Sequence, residues 1–210
     1  HSACAVTEDR EVLCWGLDTH GGLGDGETGL GQRARRLGTP VIGVREAAEV
    51  SVGAYFGCAR TQSGEVYCWG NGELGQLGDG RRRTMRVATR ATVSGVTQIE
   101  SGHAHTCAVL ADGTVRCWGS FRDDDGRNQG SGSDRLAPET MVGVARATAV
   151  ASGGGHTCAQ TAGTIVCFGG GTSETRNFDE RSGEALESHG VDLPLALEPT
   201  PLPGITPTSP

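Results

Sequence analysis

Eight cysteines are the residues of this chain best able to form covalent bonds, and their spacing limits what those bonds can be. Cys4 and Cys14, Cys58 and Cys68, Cys107 and Cys117, and Cys158 and Cys167 form pairs 10, 10, 10 and 9 positions apart. Cys-x-x-Cys is absent, so the close ligand pair of a structural zinc site is missing. Two sulfurs ten residues apart meet if the chain between them folds back on itself. Directly opposed residues of antiparallel strands have Cα atoms about 4.5–5.5 Å apart, within reach of a disulfide. The expected chemistry is one disulfide per hairpin, each stabilising by at most roughly 3 kcal/mol through loop closure. Reduced cysteines packed as small apolar side chains are the alternative.

The elements that would bring the sulfurs together are short and β-prone. In Cys107-Ala-Val-Leu-Ala-Asp-Gly-Thr-Val-Arg-Cys117, facing cysteines leave Ala111-Asp112-Gly113 as a three-residue loop, with Gly where a left-handed residue is needed. The second segment leaves Gln62-Ser63-Gly64, and the fourth, one residue shorter, leaves Ala162-Gly163. In the first, Arg10 stands in the glycine position, where a non-glycine residue is strained unless the loop rearranges.

These hairpins are copies of one unit. Successive first cysteines are 54, 49 and 51 residues apart. Ala follows each first cysteine (Ala5, Ala59, Ala108, Ala159), and an aromatic residue and Gly follow each second (Trp15, Trp69, Trp118, Phe168). Gly53, Gly102 and Gly153 precede three of the hairpins by five residues, with Val50, Ile99 and Val150 three residues earlier again. A unit of about fifty residues with several short strands cannot bury both faces alone and must stack on its copies; stacked radially, such sheets make a β-propeller, with the aromatic residue as a wedge between neighbours.

His105-Thr-Cys-Ala, Asp112-Gly113, Cys117-Trp-Gly and above all Trp69-Gly-Asn-Gly-Glu-Leu-Gly-Gln-Leu-Gly-Asp-Gly80 resemble the regulator of chromosome condensation repeat family. Gly22-Leu-Gly-Asp-Gly26 echoes the last stretch, whereas the third and fourth units replace it. The resemblance covers about residues 1–171 and implies an all-β propeller, typically of seven blades. Seven such units need about 360 residues, so about four blades are expected here, with units near 1–49, 50–98, 99–149 and 150–193. Pro199-Thr-Pro-Leu-Pro-Gly-Ile-Thr resembles Thr39-Pro-Val-Ile-Gly-Val44, which reads residues 194–210 as the start of a further blade. A disordered proline-rich tail is the alternative for that segment, and a closed four-bladed ring for the whole.

Composition narrows the function. Gly supplies 35 of 210 residues, against a usual share of about 7%, and no apolar run is long enough for a membrane-spanning helix. The formal charge of −7 disfavours nucleic acid as partner. Every basic residue is Arg, which suggests a GC-rich, bacterial genome. No nucleophile motif, paired carboxylate or phosphate loop stands out, so no catalytic residue and no cofactor is expected. His105 and His156 recur with the unit and read as structural hydrogen-bonding groups.

Recognition is expected from the loops between strands: 20–37, 81–90, 121–136 and 172–193. Arg81, Arg82, Arg83 and Arg86 form a basic patch suited to an acidic partner. Asp123, Asp124 and Asp125 offer oxygen ligands, with Asp134 instead of Glu at the twelfth position, so a calcium-dependent binder is one alternative. The resemblance raises another, a guanine nucleotide exchange factor. Because paired cysteines stay oxidised outside the cytosol, the reading carried forward is an exported, extracytoplasmic protein-interaction module.

Overall fold

The computed structural model describes residues 2–27, 34–121 and 134–169, and among them the secondary structure is all β. Sheet 1 holds β1 (Ser2–Val6), β2 (Val12–Leu17) and β3 (Ala34–Pro40). Sheet 2 holds β4 (Ala47–Val52), β5 (Phe56–Thr61), β6 (Val66–Gly70) and β7 (Met85–Arg90). Sheet 3 holds β8 (Val96–Ser101), β9 (His105–Leu110), β10 (Val115–Gly119) and β11 (Arg135–Thr140). Sheet 4 holds β12 (Ala149–Gly153), β13 (His156–Thr161) and β14 (Thr164–Gly169). Each is an antiparallel meander in chain order, and the four form part of a β-propeller.

Each hairpin has the register that cysteine spacing implies. Cys4 opposes Cys14, Cys58 opposes Cys68, Cys107 opposes Cys117 and Cys158 opposes Cys167. All four pairs are disulfides, with Cα atoms 4.0–4.1 Å apart. Gly64 and Gly113 adopt φ of 77° and 79° at the loop position that needs it. Arg10 adopts φ 62° at the equivalent place. The first loop therefore keeps the common geometry, closed by Arg10 N–H donating to the Thr7 carbonyl, and tolerates the strain instead of rearranging.

The core lies between sheets. The disulfide face of one sheet packs under the alanine and aromatic face of the next: Val12 and Cys14 under Ala59 and Trp69, Cys58 and Cys68 under Ala108 and Trp118, Cys107 and Cys117 under Ala159 and Phe168. Trp69 and Trp118 are fully buried and act as the expected wedges. Trp15 differs, at 38% exposed, because no described sheet lies on that side.

The first strands β4, β8 and β12 pack side by side toward the axis. Their ends are linked by main chain alone: the Ala54 amide donates to the His103 carbonyl (2.9 Å), and the His103 amide to the Gly154 carbonyl (2.7 Å). A Cβ on Gly53 or Gly102 would collide with the neighbouring sheet's backbone, at 2.6 Å from Gly102 O and 2.8 Å from Gly154 O respectively. That close approach explains the recurrence of glycine at these positions.

Candidate interaction face

The connections β2–β3, β6–β7 and β10–β11 emerge on the same side as the axial turns at 53–55 and 102–104. Asn71 N–H donates to the Tyr55 carbonyl, and Ser120 N–H to the Ala104 carbonyl, both at 2.8 Å. The hairpin turns lie on the opposite side, sewn to the connectors between sheets by Ala47 N–H to Arg10 O and Ala147 N–H to Gly113 O. Among the described residues, one face therefore carries the exits from β2, β6 and β10 and the axial mouth; the other carries short turns.

The glycine-rich loops that open this face grip the next sheet's tryptophan. Trp69 Nε1–H donates to the Gly22 carbonyl at 3.0 Å, and Trp118 Nε1–H to the Gln76 carbonyl at 2.8 Å. Gly24 and Gly78, with φ of +68° and +65°, lie against those rings, where an added Cβ would come to 2.8 and 2.9 Å. Leu23 and Leu77 bury fully beside them. In the first loop, Asp18 accepts a hydrogen bond from Leu23 N–H, and burial holds its carboxyl above the usual pKa range.

Half of the basic patch is already committed within the fold. Arg82 pairs with Asp134 at 2.6 Å and Arg83 with Asp79 at 2.8 Å, while Arg90, below the patch, pairs with Glu65 at 2.7 Å. Arg81 and Arg86 are exposed and make no side-chain ion pair among the described residues. The structure thus divides the four arginines into two that brace loops and two that face outward.

Asp123, Asp124 and Asp125 lie outside the described residues, as do the loop at 172–193 and the segment 194–210. Asp134, at the far end of the acidic stretch, is engaged by Arg82. Among the described residues no group of three His, Cys, Asp or Glu side chains is placed to hold a metal ion.

The axial mouth between sheets 1 to 4 is lined by Leu17, Thr19, Tyr55, His103 and Gly154. Tyr55 and His20 stand at its rim with ring centroids 5.3 Å apart, and both have left-handed backbones (φ 65° and 58°). Two non-glycine residues held in this region mark a strained point on the face, the kind of position that functional sites retain. Sequence reading did not single them out, because neither belongs to the repeat pattern.

His105 is fully buried. Nε2 hydrogen-bonds with Thr157 Oγ1 of the next sheet at 2.8 Å, and the ring stacks on Phe121 with centroids 4.2 Å apart. Burial first, then the nearby charges of His156, Arg135 and His103, push its pKa down to about 3. Its counterpart His156 is exposed and makes no side-chain hydrogen bond among the described residues, so the structural role expected for both is filled at His105 alone.

Polar side chains on the first strands also join sheets. Glu49 Oε2, held by Arg60 Nε at 2.9 Å, accepts from the Ile99 amide at 3.1 Å, and Ser51 Oγ accepts from the Ser101 amide at 2.8 Å. Glu100 lies near Glu49; burial and that neighbouring charge raise its pKa, partly offset by a hydrogen bond with Ser51.

Comparison with known proteins follows the same units. The model of the Regulator of chromosome condensation (RCC1) repeat matches residues 47–76 and 96–127, and a second model of that description matches 63–109. The first two stretches run from the first strand of a sheet through the tryptophan and beyond it, and the third runs from the β5–β6 turn into β9 of the next sheet.

The chain belongs to the regulator of chromosome condensation repeat family.

The Drosophila melanogaster Regulator of chromosome condensation is 33% identical over 162 residues, covering 70% of this chain and 28% of that protein. Human E3 ubiquitin-protein ligase HERC2 is 26% identical over 196 residues, covering 85% of this chain and 4% of that protein. This chain therefore spans less than a third of either relative. Solved structures share the fold: human WBSCR16 (TM-score 0.66, 20% identity, 80% of this chain and 45% of that one) and yeast RCC1 (Prp20) bound to Kap60 (TM-score 0.63, 19%, 80% and 40%). The ectodomain of the Physcomitrella patens receptor kinase CR4 does so at TM-score 0.51, with 22% identity over 80% of this chain and 39% of that one. No helix among the described residues is long and apolar enough to cross a membrane.

Proposed function

We propose that this chain is a non-catalytic protein-interaction module of an exported bacterial protein. It presents loops and an axial mouth from disulfide-pinned blades to a protein partner with acidic contact residues. The observation that carries the reading is that a disulfide closes every hairpin and no cysteine is left free. Such bonds persist in an oxidising compartment and are lost in a reducing cytosol. That an ectodomain of a plant receptor kinase has the same fold supports an extracytoplasmic setting. Arg81 and Arg86, without an ion pair among the described residues, supply the cationic contact, with Tyr55 and His20 at the mouth as the aromatic one.

Two measurements test this. Mass spectrometry of unreduced peptides from the native compartment should find the four intrachain disulfides; eight free thiols would refute export. Binding to a fluorescent poly-glutamate peptide should weaken at least tenfold in the Arg81→Glu/Arg86→Glu variant and decline as salt rises. Unchanged affinity would remove the acidic-partner reading.

Nucleotide exchange is a second reading. A yeast structure with this fold, Prp20p, is described with its binding to Gsp1p and histones. Accelerated nucleotide release from a small GTPase by the reduced chain would favour that reading over ours.

A further inference from the structure

We infer that Arg116 and the cavity beside it, between sheets 2 and 3, form a binding site for a small organic molecule that bears a single carboxylate. The site lies on the side of the short turns, away from the axial mouth, and does not rest on the function proposed above. The β7–β8 connector that walls it is sewn to the β5–β6 turn by Ala91 N–H to Val66 O and Val96 N–H to Gly64 O, at 2.9 and 3.0 Å.

Within the repeat Arg116 is an exception. The residue before the second cysteine is Leu13, Tyr67 and Val166 in sheets 1, 2 and 4. All three are half-buried, and Tyr67 and Val166 pack against the apolar clusters at their joints. In sheet 3 the same half-buried place is held by a cation. The Arg116 Nε is closed to solvent without a hydrogen-bond partner, and the side chain makes no ion pair among the described residues. The nearby acid is Asp112, whose pKa is lowered first by its hydrogen bonds from Thr114 and last by the charge of Arg116. Asp112 is fully exposed, so water screens that attraction. An unpaired, partly desolvated charge is unfavourable, and an anion seated against it offsets the desolvation.

A cavity of about 450 Å³ opens beside it, lined by Arg90, Thr92, Val93, Ser94, Leu110 and Arg116. Small-ligand sites span about 300–1,000 Å³, so an organic molecule fits where a lone ion would leave space. Charge decides its class. Arg90 is already balanced by Glu65, whose Oε1 it holds at 2.7 Å and whose Oε2 accepts from Tyr67 OH at 3.3 Å. Among these residues the surplus is one positive charge, at Arg116. One carboxylate neutralises it and can accept two parallel N–H bonds from a guanidinium edge. A phosphate dianion would instead set excess negative charge beside Glu65 and Asp112. Ser94 and the remaining N–H groups of Arg90 offer further donors. Thr92 is less free, since its hydroxyl donates to the Gly78 carbonyl at 3.1 Å. Val93 and Leu110, both part of the apolar packing between sheets 2 and 3, supply a wall for a short aliphatic stem.

Titration of the unreduced chain with butyrate, butyramide and phosphate at fixed ionic strength tests the proposal, read by two-dimensional amide NMR and thermal unfolding. Butyrate should shift the amides of residues 91–94 and 110–116 saturably and raise Tm. Butyramide, its neutral isostere, should do neither. In Arg116→Leu, which installs the residue type of sheet 1, the Kd for butyrate should rise about tenfold or more and the Tm gain should vanish. An acetylated dipeptide with a free C-terminal carboxylate distinguishes the source: binding tighter than butyrate assigns the site to a chain end, and weaker binding to a free acid. An equal response to butyramide, an equal affinity in Arg116→Leu, or no saturable shift at these amides overturns the site. Phosphate binding more tightly than butyrate overturns the choice of a carboxylate. Should Arg116→Leu fail to fold, butyrate against butyramide in the unaltered chain still decides, because only a site that reads charge separates them.

Discussion

The carboxamide of Gln98 docks on the backbone of Val150 as a strand would: Nε2 donates to the Val150 carbonyl at 3.0 Å, and Oε1 accepts from the Val150 amide at 2.9 Å. A side chain of sheet 3 thus satisfies both main-chain groups of a buried residue on the inner strand of sheet 4.

Removing the carboxamide should leave both groups without partners. Gln98→Ala is expected to destabilise the chain by about 1–3 kcal/mol, read as a lower midpoint in urea. Gln98→Glu keeps the acceptor for the Val150 amide but sets a carboxylate against the carbonyl. Its stability should therefore fall less between pH 7 and pH 4 than that of the wild type, because protonating the introduced carboxyl restores a donor to the Val150 carbonyl.

His105 makes wild-type stability sensitive to acid. The folded chain resists protonation of this ring down to a pKa of about 3, whereas the unfolded chain takes up the proton near pH 6.5. The unfolded state then binds more protons, so stability is full above about pH 6.5 and falls by up to about 1.4 kcal/mol per pH unit below it. Phe56 occupies the equivalent place in sheet 2, fully buried against Gly53 as His105 is against Gly102. His105→Phe should therefore be tolerated at pH 7 and flatten the loss of Tm between pH 6.5 and 4. An unchanged slope would assign the acid sensitivity to other groups.

The four disulfides should differ in reactivity. Cys58, Cys68, Cys107 and Cys117 are wholly buried under the next sheet, while Cys167 is exposed and Cys4 half-buried. Thiolate attack needs access to sulfur. Under graded reductant with alkylation, Cys158–Cys167 should be labelled first and Cys4–Cys14 next. The two central pairs should be labelled only on unfolding.

Arg10 offers a stabilising substitution. It holds φ 62° in a turn where Gly64 and Gly113 hold 77° and 79°, and its ion pair with Glu46 is long (3.9 Å) and exposed. A left-handed non-glycine residue costs about 1–2 kcal/mol, of which added unfolded-state freedom returns part when glycine replaces it. Arg10→Gly should raise stability by about 0.5–1 kcal/mol, seen as a higher Tm. A fall would mean that the Arg10 contacts outweigh the strain.

The fold was legible because its signals are local and repeated. Cysteine spacing set the hairpin register, Gly64 and Gly113 marked the turns, and Trp69 and Trp118 marked the wedges. The interaction face was less legible because its decisive contacts join residues about fifty apart. Arg82 reads as a free cation until Asp134, 52 positions away, is seen to hold it; Asp79 lies only four residues from Arg83, but the turn that joins them carries no signal of the pairing. Gln98 and Glu49 look like ordinary surface polar residues in sequence, and only the stacking of inner strands shows that they replace missing backbone partners. Tyr55 and His20 carry no pattern in the sequence; their ring contact at the mouth and their left-handed backbones emerge only in the structure.

The main-chain links from Ala54 to His103 and from His103 to Gly154 give the inner rim an attachment that no side-chain substitution can delete. Residues standing above that rim can drift in identity while the spokes of the wheel keep their pitch, provided the small glycines beneath stay small. New recognition surfaces can therefore arise here without renegotiating how the scaffold is assembled.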